Sequence, residues 1–265
     1  MSEPPSNPPA NPPYDASFDP SFDPWAFLRQ ATSARIALGR MGDGLPTARL
    51  LEFARAHAGA RDAVHTALDA EALCAELADL APCNVASRAQ NRMIYLQRPD
   101  LGRRLAEDSR AALQHGRYDA VIVLADGLSA AAAQQQGGEL CRRLQQTPDW
   151  HFAPPVIARQ ARVALGDEIA AALGADLVIV LIGERPGLSA FNSLGAYMSF
   201  APKPGKTSDS ERNCVSNIRP GGLGLPEAAR RISALMALAR SLRRTGTEVK
   251  EDAALALAAQ CETTA

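Results

Sequence analysis

From residue 33 to about 115, apolar positions recur every three to four residues, the period of helices with one covered face. Pro46 sits where a first helical turn tolerates it, and Leu50, Leu51, Ala54 and Ala58 keep one face of the helix apolar. Asp69 is placed to cap a second helix, in which Leu73, Leu77 and Leu80 recur before Pro82 stops it. A third segment, SRAQNRMIYLQ, opens at Ser87. Pro99 starts a fourth, with Leu101, Leu105 and Leu113 on one face and Gly116 at its end. Helix follows helix with no strand between, which predicts a small all-α domain over residues 33–115.

At Tyr118 the period changes. YDAVIVLADGLSA is a β-branched run followed by a turn and an alanine-rich helix. PPVIARQARVAL is strand-like again and leads into the helical GDEIAAALGA. ADLVIVLIGERPG is an uninterrupted apolar run ending at Gly183, as expected of a buried parallel strand covered on both faces. Strand and helix alternate, so residues 116–265 are expected to form a doubly wound, mostly parallel Rossmann-like α/β domain. A final helix, PEAARRISALMALARSLRR, is expected to bury Ile232, Leu235, Leu238 and Leu242, with a frayed end after Lys250.

Residues 1–32 read differently. Paired prolines (Pro4, Pro5, Pro8, Pro9, Pro12, Pro13) and two SFDP units at 17–20 and 21–24 predict a disordered tail, with Trp25, Phe27 and Leu28 as a short docking turn. The charge balance, 28 basic against 29 acidic residues, gives no overall field for nucleic acid or an anionic membrane. Apolar residues make up 46% and aromatics 5%, so the core is expected to be small side chains between closely packed elements. The 5 cysteines are widely spaced without a CxxC pair, which argues against a disulfide framework or a zinc site. No run approaches the ~18 apolar residues that span a bilayer, and the N-terminus lacks a secretory pattern. A cytoplasmic location is expected.

In open parallel sheets, ligands bind outside the carboxyl ends of the strands. Three segments fall there: ADGLS at 125–129, GERPGL at 183–188, and the long polar stretch at 201–222. Glu184 at the end of its strand can accept hydrogen bonds from a ligand, or simply face water. Cys214 stands alone, with no histidine near it in sequence, and reads as a small hydrophobe before a nucleophile. Arg88, Arg92, Arg98, Arg103 and Arg104 read as a solvated or partner-facing helix face, with a phosphate contact as the alternative. No GxGxxG follows the first strand, and no phosphate-loop lysine or GxSxG elbow is present. Pattern alone leads to a polar site without an acid–base pair.

Seven segments carry a resemblance: ARIALGRMGDGLPT, HAGARDAVH, SRAQNRMIYLQRPDLGRRL, VLADGLSA, VIARQARVALGDEI, VLIGERPGLS and ERNCVSNIRPGGL. In this order, over residues 35–252, they are similar to the ethanolamine ammonia-lyase light-chain (small-subunit) family. The resemblance implies an adenosylcobalamin-dependent radical lyase that converts ethanolamine to acetaldehyde and ammonia. It implies a barrel-shaped large subunit holding the substrate, hetero-oligomers of large–small pairs, and a cobalamin sandwiched between the two chains. Residue by residue, it carries cobalamin contacts onto Val163, Glu184 and Cys214, and it places no catalytic residue and no metal ligand on this chain. Val163 would offer apolar surface, Glu184 a hydrogen-bond acceptor and Cys214 a close-packed contact. The chain alone would be inactive. Relatives with an N-terminal amphipathic helix enter a protein microcompartment; the proline-rich tail cannot form one, which favours free cytoplasm. Two rivals are a stand-alone α/β enzyme with Glu184 as base and a non-catalytic scaffold or reactivating factor of a cobalamin enzyme.

Overall fold

The computed structural model describes residues 25–32, 34–40, 42–250 and 252. The proline-rich tail at 1–24 and, apart from Asp252, the expected frayed end lie outside the described residues. The chain divides into two compact units, Met1–Glu52 and Phe53–Ala265. In the first, the expected docking turn is the short helix α1 (Ala26–Ala31), flanked by exposed Trp25 and carrying exposed Phe27. The longer helix α2 (Thr47–His65) begins there and ends in the second unit. Leu50, Leu51 and Phe53 on it are exposed, and Ala63 is its one buried residue among those described.

The second unit is α/β. In chain order it contains α3 (Ala70–Glu76), β1 (Cys83–Ala86), α4 (Arg92–Gln97), α5 (Glu107–Ala111), β2 (Tyr118–Ala125), α6 (Ala130–Gln145), β3 (Val156–Arg159), α7 (Leu165–Leu173), β4 (Ala175–Gly183), β5 (Leu194–Phe200), β6 (Asn213–Ile218) and α8 (Leu225–Leu242). Asp69 does cap α3, accepting the Ala72 N–H at 2.9 Å. The six strands form one sheet in the order β1-β3-β2-β4-β5-β6. β1, β3, β2 and β4 run parallel, while β5 and β6 are antiparallel additions at one side.

Two expectations are corrected here. The span 33–115 is not all helical, because β1 lies within it and pairs with β3. A four-residue strand is too short to display a period, and its partner lies some seventy positions away (Cys83 opposite Val156). The polar stretch at 201–222 likewise contains β6, whose buried residues are Val215 and Ile218 while Cys214, Ser216 and Asn217 face outward. A strand at the sheet margin reads as polar because one of its sides stays wet.

Alternation along the central strands sorts the core into two layers. Ile122, Leu124, Ile157, Ile179 and Leu181 pack with α3, α6 and α8 on one face. Val121, Val123, Val156, Val178 and Val180 pack with α7 and with Leu105 and Leu113 on the other. From β2 the chain crosses through α6 to β3, then through α7 back past β2 to β4, so the two crossovers run in opposite directions along the sheet. On α8, Ile232 and Leu235 are buried as expected and Leu238 packs partly against the core. Leu242 is half-exposed, because it is the last residue of the helix before the chain turns away through the left-handed cap Arg243.

An ion pair with both side chains almost fully buried lies between α7 and β6. Arg212, just before β6, meets Asp167 of α7 in a two-pronged contact, Nη1 to Oδ1 at 2.7 Å and Nη2 to Oδ2 at 2.8 Å. Both side chains are almost fully buried, and Nη1 also donates to Ser199 Oγ of β5 at 2.6 Å. The pair fixes the start of β6 against α7. Asp167→Ala leaves a buried guanidinium with only the exposed Asp209 carboxylate, 3.6 Å away, as counter-charge, and is expected to cost about 3–5 kcal/mol in urea unfolding. The paired replacement Asp167→Leu with Arg212→Met should recover most of that loss.

Candidate functional site

The loops that follow β2, β3 and β4 meet at one edge of the sheet. Leu128 N donates to Gly183 O at 2.9 Å, joining the end of β2 to the end of β4. Gly127 has a left-handed φ of 54°, and a Cβ on it would collide with the Gly183 carbonyl. Glycine is therefore required at both sides of this crossing. Above it opens a cleft of about 520 Å³, lined among others by Tyr95, Leu128, Arg162, Val163, Glu184 and Tyr197.

Glu184 is the first residue beyond β4. Its Oε2 accepts from Ser193 Oγ at 2.5 Å and from Asn217 N at 3.3 Å. The second contact depends on an irregularity in β6. Asn217 takes a left-handed φ of 59° where the β5–β6 register shifts, which turns its N–H toward the carboxylate. Oε1 accepts no bond from a described residue and lies over Gly195, where a Cβ would come within 3.0 Å of it. One oxygen is thus anchored within the chain, and the other accepts from none of the described residues.

Tyr197 of β5 stands opposite Cys214 of β6. Burial raises the Tyr197 hydroxyl well above its ordinary range, helped by Cys214 and then Glu184. Cys214 is exposed, yet the packing around its thiol raises it; the Tyr197 hydroxyl opposes that shift and Glu184 adds to it. Neither group is poised to ionise near neutral pH, so nothing here resembles an activated nucleophile. On the opposite wall, Tyr95 is fully buried between two guanidinium groups, Arg162 at 4.3 Å and Arg92 at 4.8 Å from the ring centre. Its hydroxyl donates to Ala161 O at 3.0 Å and is pushed up to about 12 by burial.

A family model described as ethanolamine ammonia-lyase light chain matches residues 22–250. The chain belongs to the ethanolamine ammonia-lyase light-chain family. It is 48% identical over 233 residues to the ethanolamine ammonia-lyase small subunit of Rhodococcus erythropolis, covering 86% of this chain and 90% of that one. It is 49% identical over 237 residues to that of Rhodopseudomonas palustris strain BisA53, again covering 86% and 90%. The small subunit of Xanthomonas campestris pv. campestris strain B100 is 46% identical over 240 residues, covering 86% and 88%. A small subunit implies a larger partner chain.

Of the three residues that the light-chain resemblance singled out, Val163 and Glu184 line the cleft together. Cys214 is not among its lining residues and lies beside it, behind Tyr197. Val163 is not within a strand: β3 ends at Arg159, and Val163 belongs to the turn before α7, which brings it to the same strand edge as Glu184. The arginines do not share one helix face. Arg92 turns inward to Val64 O and Gly127 O, Arg104 pairs with Glu168, and Arg98 pairs with Asp100 in solvent. Tyr95 and Arg162 were missed as site residues, although both fall inside matching segments and Arg162 directly precedes Val163. Tyr197 had no signal, since β5 was not read as a strand. No group of three or more His, Cys, Asp or Glu among the described residues could hold a metal ion, and no described helix is long and apolar enough to cross a membrane. The crossing beneath the cleft predicts that Gly127→Ala lowers stability by about 1–3 kcal/mol. Gly187→Ala, whose Cβ would meet nothing closer than 3.8 Å, should shift the urea midpoint little.

Proposed function

We propose that this chain is the small subunit of an adenosylcobalamin-dependent ethanolamine ammonia-lyase, and that its cleft covers part of the cobalamin against the larger partner subunit. The observation that carries this reading is Glu184: a half-anchored carboxylate with one oxygen open, beside apolar Val163, Leu128 and Ile182. A corrin ring is an apolar plate rimmed by amide side chains. An acceptor at the rim and aliphatic side chains under the plate suit such a group, and so do the Arg162 and Arg185 donors. A cleft of about 520 Å³ is smaller than a whole cobalamin, which fits a site completed from the other side by a second chain.

When bound, the cofactor supplies the radical chemistry that amino-acid side chains do not provide. This chain's residues would bind and orient it: Glu184 accepts from amide N–H groups, Val163 excludes water from the ring, and Cys214, beside Tyr197, makes a close-packed contact at the cleft's margin. In this reading ethanolamine and the acid–base groups that act on it belong to the larger partner, and the two chains assemble as hetero-oligomers of large–small pairs. Helices on both sheet faces support a doubly wound, Rossmann-like reading, with the expected cobalamin-contacting domain at 116–265 extended to take in β1 and α4. A cytoplasmic setting outside a microcompartment completes the proposal.

Ammonia and acetaldehyde are expected only when this chain, the large subunit, adenosylcobalamin and ethanolamine are combined. No turnover from a properly assembled, cobalamin-loaded complex would sink the substrate assignment. Glu184→Ala should weaken cobalamin retention roughly tenfold, the loss of a hydrogen bond to a charged acceptor, while leaving subunit association intact. In the wild-type complex, cobalamin should slow alkylation of Cys214, followed on its own peptide by mass spectrometry. An unchanged rate would remove Cys214 from the site.

A further inference from the structure

A buried carboxylate stands next in sequence to Gly127 of the cleft lining. Asp126 follows β2 in the ADGLS segment and is almost fully buried. Its Oδ1 accepts from Gly127 N at 2.9 Å and Ala161 N at 2.9 Å, and its Oδ2 accepts from Gln160 N at 2.7 Å. Gln160 is held in a left-handed conformation, φ 54°, so the turn after β3 is one the chain would not adopt unaided. Two and three residues later come Arg162 and Val163 on the cleft wall. From the other side, Tyr95 grips the same turn through Ala161 O, and Arg92 donates to Gly127 O at 2.8 Å with its guanidinium 3.7 Å from Asp126 Oδ2.

We infer that Asp126, together with Tyr95 and Arg92 of α4, is a positioning clamp for the ligand cleft, setting where Arg162 and Val163 stand. Asp126 ties the end of β2 to the turn after β3, and α4 closes over both. This role rests on the cofactor reading above for its purpose, though not for its geometry. The carboxylate suits it because three N–H groups converge on two oxygens, and only an acceptor at both can satisfy them. An Asn at this position directs an NH₂ group at one or more of those donors whichever way it is turned. Burial, the largest influence, raises the carboxyl above its ordinary range, and the Ala161 and Gln160 N–H groups, Arg92 and the Gly127 N–H oppose that rise without cancelling it.

The test uses the full chain assembled with the large subunit. Asp126→Asn and Tyr95→Phe are compared with wild type by hydrogen exchange and by cobalamin affinity from the visible spectrum. Tyr95→Phe keeps the ring between the two guanidinium groups and deletes only the bond to Ala161, so it decides the question should Asp126→Asn not fold. The expected result is faster exchange confined to residues 126–129 and 158–164, with β4 and α8 unchanged. Affinity should fall roughly tenfold for Asp126→Asn and less for Tyr95→Phe. Unchanged exchange at 158–164 in both variants overturns the clamp. Faster exchange with wild-type affinity overturns its role at the cleft. A wild-type complex that retains no cobalamin overturns the cofactor reading instead, and the exchange data then decide the clamp on their own.

Discussion

The backbones of Gly127 and Gly183 pass so close at the middle of the sheet that neither could carry a side chain without moving the other strand end. A Cβ on Gly183 would meet the carbonyls of Asp126 and Ser129, and one on Gly127 would meet the Gly183 carbonyl. This crossing depends on the long parallel pairing of β2 with β4, which runs from Tyr118 opposite Ala175 to Ala125 opposite Ile182. Because that register is set by two apolar runs buried on both faces, the two strand ends arrive at the same level. The loops that leave them share one floor, and the cleft exists because nothing rises from it.

The walls are held by a different kind of force. The first turn of α7 holds Asp167 and Glu168, where a helix N-terminus favours negative charge. Both are buried, and each is satisfied from outside its own helix: Asp167 by Arg212, Glu168 by Arg104, Arg110 and the Leu105 N–H. Such pairs bring little net stability, since desolvation offsets much of the attraction, but a wrong arrangement would strand a charge. They therefore select one placement of α7, and with it the turn carrying Val163. They also select the start of β6, which carries Cys214 and the irregular Asn217. Apolar burial supplies the energy of the sheet, and buried charge chooses among the ways its margins could pack.

This division explains what could be read from the sequence. β2 and β4 are local facts: runs such as YDAVIVLA and ADLVIVLIG state their burial on both faces without reference to anything else. Asp69 before an apolar period is equally local. β1 and β6 are not, because four or six residues with mixed polarity become strands only when β3 or β5 is already there to receive them. The same limit governed the site. Glu184 was visible because it ends a recognisable strand, and Val163 because its motif matched a family. Tyr95, however, reaches the cleft by lying between Arg92 and Arg162, sixty-seven positions separating it from the turn after β3. Asp126 lay in ADGLS, a segment expected at the ligand edge, but it was not singled out within it. Its partners Gln160 and Ala161 are placed by folding, and no local pattern announces them.

A cleft with one free acceptor, an aliphatic wall and an open side has a consequence for energetics. A surface that covers only part of a ligand leaves the rest in water, so the burial available to this chain alone is a fraction of what an enclosed site would provide. Under the proposed reading, the partner's face adds the remaining burial, and binding of ligand and of partner then favour each other through their shared surface. Thermodynamic reciprocity requires that whatever factor the partner adds to cobalamin affinity, cobalamin adds to partner affinity. Rigidity of the clamp matters most in that setting. If the turn at Gln160–Val163 had to be ordered on assembly, its conformational entropy would be subtracted from both equilibria. With Asp126 and Tyr95 holding it beforehand, the cleft meets its ligand already in shape.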